Sequence, residues 1–136
     1  MATVHSPAAK PESLAARLPA ACFKIASFTA VIGVSLGVYM GIGRDHTLAP
    51  VHVHLNLIGW VSLFLFGLFY KTHPSAVCKT AVAQVSMSVA GYIAMLSGLA
   101  GFLLSGSAAF MPLAITGSLL VWAGVLLFFI IVAKAR

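Results

Sequence analysis

Two histidines separated by one residue are the clearest candidates for chemistry in this sequence. His52 and His54 stand at the head of the run "PVHVHLNLIGWVSLFLFGLFY", which begins at Pro50 and is otherwise almost entirely apolar. Ionisable side chains are costly inside a membrane and usually serve a function there. Neutral imidazole is a ligand for iron, copper and zinc. The pair therefore marks a candidate metal or cofactor site, with His46 upstream as a possible further ligand.

The spacing of the pair limits what it can bind. An α-helix turns about 100° per residue, so His52 and His54 point about 200° apart and cannot hold one small ion together. They can serve two sites, or one site shared between copies of the chain. The side of His52 continues through small and partly polar residues: Asn56, Gly59, Leu63, Gly67 and Tyr70. The side of His54 is aliphatic and could lie against a flat apolar cofactor: Ile58, Val61, Leu65 and Leu68.

The composition is that of an integral membrane protein. Of 136 residues, 61% are hydrophobic and 7% are charged, whereas soluble domains carry about 25% charged residues. Four apolar runs, at about 21–43, 50–70, 77–104 and 109–133, are long enough to span a bilayer. The short breaks between them predict an all-α, up-down bundle of four transmembrane helices. Residues 1–20 are predicted to be a polar tail without a signal peptide, followed by a membrane domain over 21–136.

The basic residues predict the orientation. Most would lie on one side of the membrane: Lys10, Arg17, Lys24, Lys71, Lys79, Lys134 and Arg136. Arg44 alone would lie on the other side. Both termini are therefore expected in the cytoplasm of a bacterial-type cell, with His46, His52 and His54 on the periplasmic side of the inner membrane. So few and scattered basic residues do not indicate a nucleic-acid partner.

The glycines and cysteines predict packing. Gly33, Gly37 and Gly41 repeat at four-residue spacing in the first run, which is typical of a helix face that a neighbour approaches closely. Cys22 and Cys78 have no ligand spacing and are expected to be free, small and buried hydrophobic residues. The only acids, Glu12 and Asp45, are too far apart in the sequence to suggest a catalytic carboxylate pair.

The segment "HVHLNLIGWVSLFLFGLFYKTHP" resembles the H-x-H helix in the catalytic subunit of the haem-copper oxidases. The likeness is greatest to the C-type oxidases and extends to the nitric oxide reductases. These residues carry it: His52, His54, Gly59, Trp60, Val61, Phe66, Gly67, Tyr70 and Pro74. "LAPVH" also resembles the second helix of that subunit, which supplies a further haem ligand. The resemblance implies haem b with His52 and His54 as axial ligands.

The family's subunit repeats a group of four helices with approximate threefold symmetry, and this chain has the size of one group. The resemblance therefore implies a homotrimer in which His54 of one chain and His52 of the next hold a shared haem. Arg44 would lie near the propionates and Trp60 beside the cofactor, with Asn56, Ser62 and His46 supporting the ligands. An electron donor would be a further partner. The family's second histidine cluster, which holds copper, has no counterpart, so complete oxygen reduction with proton pumping is not expected and enzymatic turnover stays open.

Two alternatives remain at this point. His46, His52 and Asp45 could form a non-haem copper or zinc site in a metal-handling or oxidase accessory protein. The histidines could also form only hydrogen bonds in a structural subunit without a cofactor. An absorption spectrum of the purified protein separates the haem protein from both alternatives, because only a haem protein has a Soret band, and elemental analysis separates a copper or zinc site from a protein without metal.

Overall fold

The computed structural model describes residues 13–135, and these form four long helices. They are α1 (Leu14–Gly43), α2 (Ala49–Thr72), α3 (Lys79–Ser105) and α4 (Met111–Lys134). Each is long and apolar enough to cross a membrane, and residues 13–135 contain no strand. The predicted all-α bundle of four spans is confirmed. One boundary differs, because α1 already begins at Leu14 and takes in part of the predicted tail; residues 1–12 and Arg136 lie outside the described part.

Short turns connect the helices and make neighbours antiparallel. After α1, Arg44 adopts the left-handed conformation with φ 51°. Asp45 then accepts hydrogen bonds from the amide of Thr47 at 2.9 Å and from its hydroxyl at 2.6 Å. A 3₁₀ turn, Pro74–Ala76, connects α2 to α3, and another, Ala108–Phe110, precedes α4. His46 and the His52–His54 pair therefore lie at one end of the bundle, and His73 lies at the other.

Small residues allow α3 and α4 to pack as a close hairpin. A Cβ atom added to Gly117 would overlap the backbone of Met95, and one added to Gly91 would lie 2.7 Å from the amide nitrogen of Val121. On α1, Gly33 and Gly37 face side chains of α2, whereas a Cβ atom added to Gly41 would meet nothing within 4 Å. The close approach expected from the glycine spacing thus holds for two of the three positions on α1.

The interior has two apolar clusters. The larger one joins all four helices near the end where α1 begins and α4 ends: Leu18, Cys22, Ala26, Leu63, Phe66, Tyr70, Ala81, Val85 and Ile131. The smaller one joins α2 to α3 near the histidine end: Val51, Leu55, Tyr92, Met95 and Leu96. At the histidine end, α2 is thus packed on α3 by apolar contacts and on α1 by the glycine positions.

A π-helical segment, Leu55–Ser62, interrupts α2 directly after His54. Five residues of α2 at four-residue intervals are all buried: Val51, Leu55, Gly59, Leu63 and Gly67. A regular α-helix would rotate Gly67 about 160° away from the direction of Val51. The wider π turns, with about 4.4 residues each, cancel most of this rotation. The segment therefore keeps one face of α2 against the bundle over its whole length.

The outer surface is apolar on every helix, as lipid contact requires. Tyr39 and Ile42 on α1 are 69% and 81% exposed, and Trp122 and Phe129 on α4 are 65% and 66% exposed. Such a surface is typical of contact with hydrocarbon rather than water. The two cysteines differ, because Cys22 is fully buried as expected but Cys78 is exposed at the start of α3. The prediction for Cys78 is wrong because the residue precedes the helix instead of lying inside it.

Candidate functional site

His52 lies in a groove between α1 and α2 that two glycines create. A Cβ atom added to Gly37 would lie 2.8 Å from Cε1 of His52, so only glycine leaves the ring this position. Nδ1 of His52 lies 2.9 Å from the carbonyl oxygen of Gly33. A carbonyl oxygen only accepts hydrogen bonds, so Nδ1 carries the proton in the neutral ring. The other ring nitrogen, Nε2, then has a free lone pair.

His54 has the same tautomer, which is set by a hydrogen bond within its own helix. Its Nδ1 lies 2.7 Å from the carbonyl oxygen of Pro50, one turn earlier. The bond again places the proton on Nδ1 and the lone pair on Nε2. The neighbours Val53 and Leu57 are 55% and 57% exposed, so their side of α2 faces away from the bundle, whereas Val51 and Leu55 face inward.

Both Nε2 atoms reach the molecular surface. Neither has a hydrogen-bond partner among residues 13–135, where the contacts of both rings are made by Nδ1. In this same part of the chain, no buried side-chain nitrogen or oxygen lacks a partner. An unpartnered Nε2 on a half-buried histidine must therefore be accessible. Metal-bound histidines commonly have this arrangement, with one nitrogen tied to a carbonyl and the other directed at the metal.

The two sides of α2 differ as the sequence predicted. On the side of His52, Gly59, Leu63 and Tyr70 are buried. On the side of His54, Val61, Leu65 and Leu68 are exposed. Ile58, also predicted for this side, is instead half-buried and packs against the smaller apolar cluster. The segment from Ala49 to His54 is α-helical, so the two imidazoles leave α2 in nearly opposite directions. One ring lies in the α1 groove and the other lies on the outer, aliphatic side.

Asn56 contacts His52 one turn below it. Its Nδ2 donates a 2.8 Å hydrogen bond to the carbonyl oxygen of His52 and lies 3.3 Å from Nδ1 of that ring. Gly33 makes room for the amide, because an added Cβ atom there would lie 2.5 Å from Oδ1 of Asn56. Gly33 thus supports the site twice, through its carbonyl oxygen and through its missing side chain.

The other candidate site residues from the sequence lie apart from the contacts that His52 makes with Gly33 and Asn56. Ser62 donates to the carbonyl oxygen of Leu57 at 2.8 Å, a bond within the π segment. Trp60 is 38% exposed on the outside of α2. Arg44 and His46 are exposed in the connecting turn. The hydroxyl and amide of Thr47 lower the pKa of Asp45, which is bound to them and does not orient an imidazole.

The residues that the structure describes do not assemble a conventional metal chelate within one chain. Over residues 13–135, no three histidine, cysteine, aspartate or glutamate side chains lie together in a way that could hold a metal ion. The copper or zinc site imagined from His46, His52 and Asp45 is therefore not supported by this geometry. What remains is a pair of separate, single imidazole donors, which suits a cofactor that brings its own equatorial ligands.

The sequence reasoning missed a buried polar chain at the opposite end of the bundle. The hydroxyl of Tyr70 donates to Oε1 of Gln84 at 3.0 Å, and Nε2 of Gln84 donates to the hydroxyl of Ser88 at 3.2 Å. Tyr70 and Gln84 are completely buried. A signal was present, because Asn56 and Gln84 are the only side-chain amides in the sequence and both fall within apolar runs.

Comparison of this chain with protein-family models, with curated proteins and with solved structures gives no match. The geometry of the imidazoles therefore carries the functional argument together with the sequence motif.

Proposed function

We propose that this chain is a membrane protein that binds haem b, related to one module of the haem-copper oxidases and active in electron transfer or in binding a diatomic gas. The supporting observation is that His52 and His54 each donate Nδ1–H to a backbone carbonyl and keep an accessible Nε2 lone pair. Iron in haem needs only axial donors, so two separate imidazoles suit it better than they suit a free metal ion.

Each residue has a distinct task in this proposal. His52 and His54 supply the axial nitrogens, and the exposed guanidinium of Arg44 at the same end offers a positive charge to the propionates. Trp60 and the aliphatic side of α2 exclude water. Haem bound by two imidazoles would supply reversible one-electron transfer, and a single imidazole would leave a position for oxygen or nitric oxide. In the first case an electron donor is required as a partner.

The proposal includes a homotrimer with shared cofactors: the resemblance to a subunit with a threefold repeat of four helices implies three copies, and the opposed directions of the two rings allow each copy to share a site with its neighbours. Val53 and Leu57 beside His54 are exposed, so a haem bound there by one chain would have one face open to lipid. A second chain that presents its own His52 would cover this face. Closed cyclic symmetry then repeats the same interface around the ring. We further propose the bacterial inner membrane as its location, with both termini in the cytoplasm and the histidines at the periplasmic side.

The absorption spectrum of the protein purified in mild detergent tests the haem. We expect a Soret band with low-spin features, which His52→Ala and His54→Ala abolish or shift. His73→Ala is the matched control, since His73 stacks on Phe69 at the opposite end, with ring centroids 4.6 Å apart. Folded but colourless wild-type protein would refute the proposal, and so would equal loss of haem in the control.

Mixed oligomers test the sharing of the site. Co-expression of His52→Ala and His54→Ala chains in equal amounts restores an intact pair at about a quarter of the interfaces of a cyclic trimer. We expect about a quarter of the wild-type low-spin signal from the mixture and none from either variant alone. Haem in the wild type without recovery in the mixture would reject the shared site but leave haem binding intact. A monomer with its full haem content would reject the trimer.

A further inference from the structure

A cleft far from His52 and His54 has the chemistry of a lipid site. It lies between the beginning of α3 and the end of α4 and has a volume of about 430 Å³. One part of its lining is polar and includes Ser75, Thr80 and Lys134. Another part is apolar and includes Ile130 and Ile131, which belong to the membrane-spanning length of α4. Polar and apolar walls thus meet where a spanning helix leaves the bilayer.

Among residues 13–135, the charged side chains at this end of the bundle are all basic. Basic residues come from every helix or its flanking turn: Arg17, Lys24, Lys71, Lys79 and Lys134. Asp45, the only acid among residues 13–135, lies at the opposite end. The first amides of α3 also favour negative charge in the cleft, since the N–H of Ala81 is the main cause of the lowered pKa of Cys78, another lining residue.

From this arrangement we infer that the α3–α4 cleft binds an anionic phospholipid, with the phosphate near Lys134 and Thr80 and an acyl chain along Ile130. A lipid fits the cleft best, because the apolar wall continues into the bilayer while the cationic rim lies at the headgroup level. Basic pockets between membrane helices commonly select anionic headgroups in this way. The site is independent of any haem at the other end.

Native mass spectrometry tests the inference. The purified oligomer is exchanged into detergent containing equal amounts of phosphatidylglycerol and phosphatidylcholine. We expect retained lipid to be mainly phosphatidylglycerol, and we expect Lys134→Gln to reduce this adduct at least fivefold. Lys24→Gln, which removes the same charge from α1 away from the cleft, should retain it. Equal retention of the two lipids by the wild type would overturn the inference, as would equal losses in the two variants.

Alkylation of Cys78 provides a second measurement, which does not depend on retention of lipid in the mass spectrometer. Cys78 lines the cleft and is exposed, so lipid in the cleft should shield its thiol. We expect N-ethylmaleimide to react several-fold more slowly with the wild type in phosphatidylglycerol micelles than in phosphatidylcholine micelles. The Lys24→Gln variant should behave like the wild type, and Lys134→Gln should lose most of the difference. An equal slowing in all three proteins would show a general surface effect and contradict a bound lipid.

Discussion

Nδ1 of His52 donates a 2.9 Å hydrogen bond to the carbonyl oxygen of Gly33, and this contact joins the candidate ligand to a neighbouring helix. It places the proton on Nδ1 and sets the direction in which Nε2 points. The position of the ring thus depends on how closely α1 and α2 approach each other, which in turn depends on glycines. The contact makes the packing of these two helices part of the site.

Gly37→Ala should therefore disturb the site without replacing a ligand. The new Cβ atom would lie 2.8 Å from Cε1 of His52, so the ring or α1 must move. We expect a loss of about 1–3 kcal/mol in the free energy of unfolding, as for other overpacked positions, together with a weakened or shifted haem spectrum. Unfolding in mixed micelles and the Soret band measure the two effects.

Gly41→Ala is the control for this change, because an added Cβ atom there meets nothing within 4 Å. It has the same chemistry, one turn further along α1. We expect its stability and spectrum to match those of the wild type. If both variants behave alike, the close contact between Gly37 and His52 does not position the ring.

The buried chain from Tyr70 to Gln84 should show energetic coupling. Tyr70→Phe leaves Oε1 of Gln84 without its donor, and Gln84→Met leaves the hydroxyl of Tyr70 without its acceptor. Each single change should lower the free energy of unfolding by about 1–3 kcal/mol, because a buried polar group loses its hydrogen-bond partner. The double variant should lower the free energy of unfolding by less than the sum of the two single changes. We expect a coupling of about 0.6–1.7 kcal/mol, between the average and the maximum measured for such pairs in a membrane protein.

Thr72→Val serves as the uncoupled reference in this cycle. Its hydroxyl is exposed and bonds to carbonyl oxygens of its own helix, at Leu68 and Phe69. Its effect on the free energy of unfolding should simply add to that of Gln84→Met when the two changes are combined. Additivity of Tyr70→Phe with Gln84→Met would mean that the hydrogen bond between them contributes no coupling to stability.

Gly117→Ala should open the hairpin of α3 and α4. The added Cβ atom would overlap the backbone of Met95, which cannot rotate away as a side chain can. We expect a loss of stability of about 2 kcal/mol or more from this overpacking. Ser118→Ala is the neighbouring control, because that hydroxyl is exposed and bonds only to the carbonyl oxygen of Ala114. Comparable melting curves for the two variants would contradict the close contact.

The two cysteines should report the orientation of the bundle. A membrane-impermeant maleimide should label exposed Cys78 in inside-out vesicles but not in intact spheroplasts, and it should leave buried Cys22 unmodified in both. Because the N–H of Ala81 lowers the pKa of Cys78, the thiolate forms at a lower pH than in a free cysteine. The labelling rate should therefore rise with pH earlier than the rate for a cysteine peptide. Labelling of intact spheroplasts would reverse the proposed topology.

The sequence was a good guide to the helices because membrane burial leaves few options for the backbone. Four apolar runs became four helices, and the difference between the sides of His52 and His54 reappeared in the burial of α2. The π segment could not be foreseen, since local sequence does not reveal where a helix changes its hydrogen bonding. Its effect is to keep Gly67 in line with Val51, which a regular helix would not do.

The contacts of individual polar groups were harder to predict, because they depend on distances between helices. Asn56 lies beside His52 as expected. Asp45 was a candidate partner of His46 or Arg44, but it binds Thr47, two residues away. The contacts of Gln84 were not predicted from the sequence, although a lone amide in an apolar run must find a buried hydrogen-bond partner.

The uneven distribution of charge makes the bundle an electrical dipole along its length. Five basic residues lie towards one end among residues 13–135, and the other end carries Arg44 together with Asp45. In an energised membrane, moving one elementary charge across the bilayer changes the energy by about 2.3 kcal/mol per 100 mV. The membrane potential therefore distinguishes the two possible orientations of the bundle, and an interior-negative potential would favour the orientation with the basic end inside.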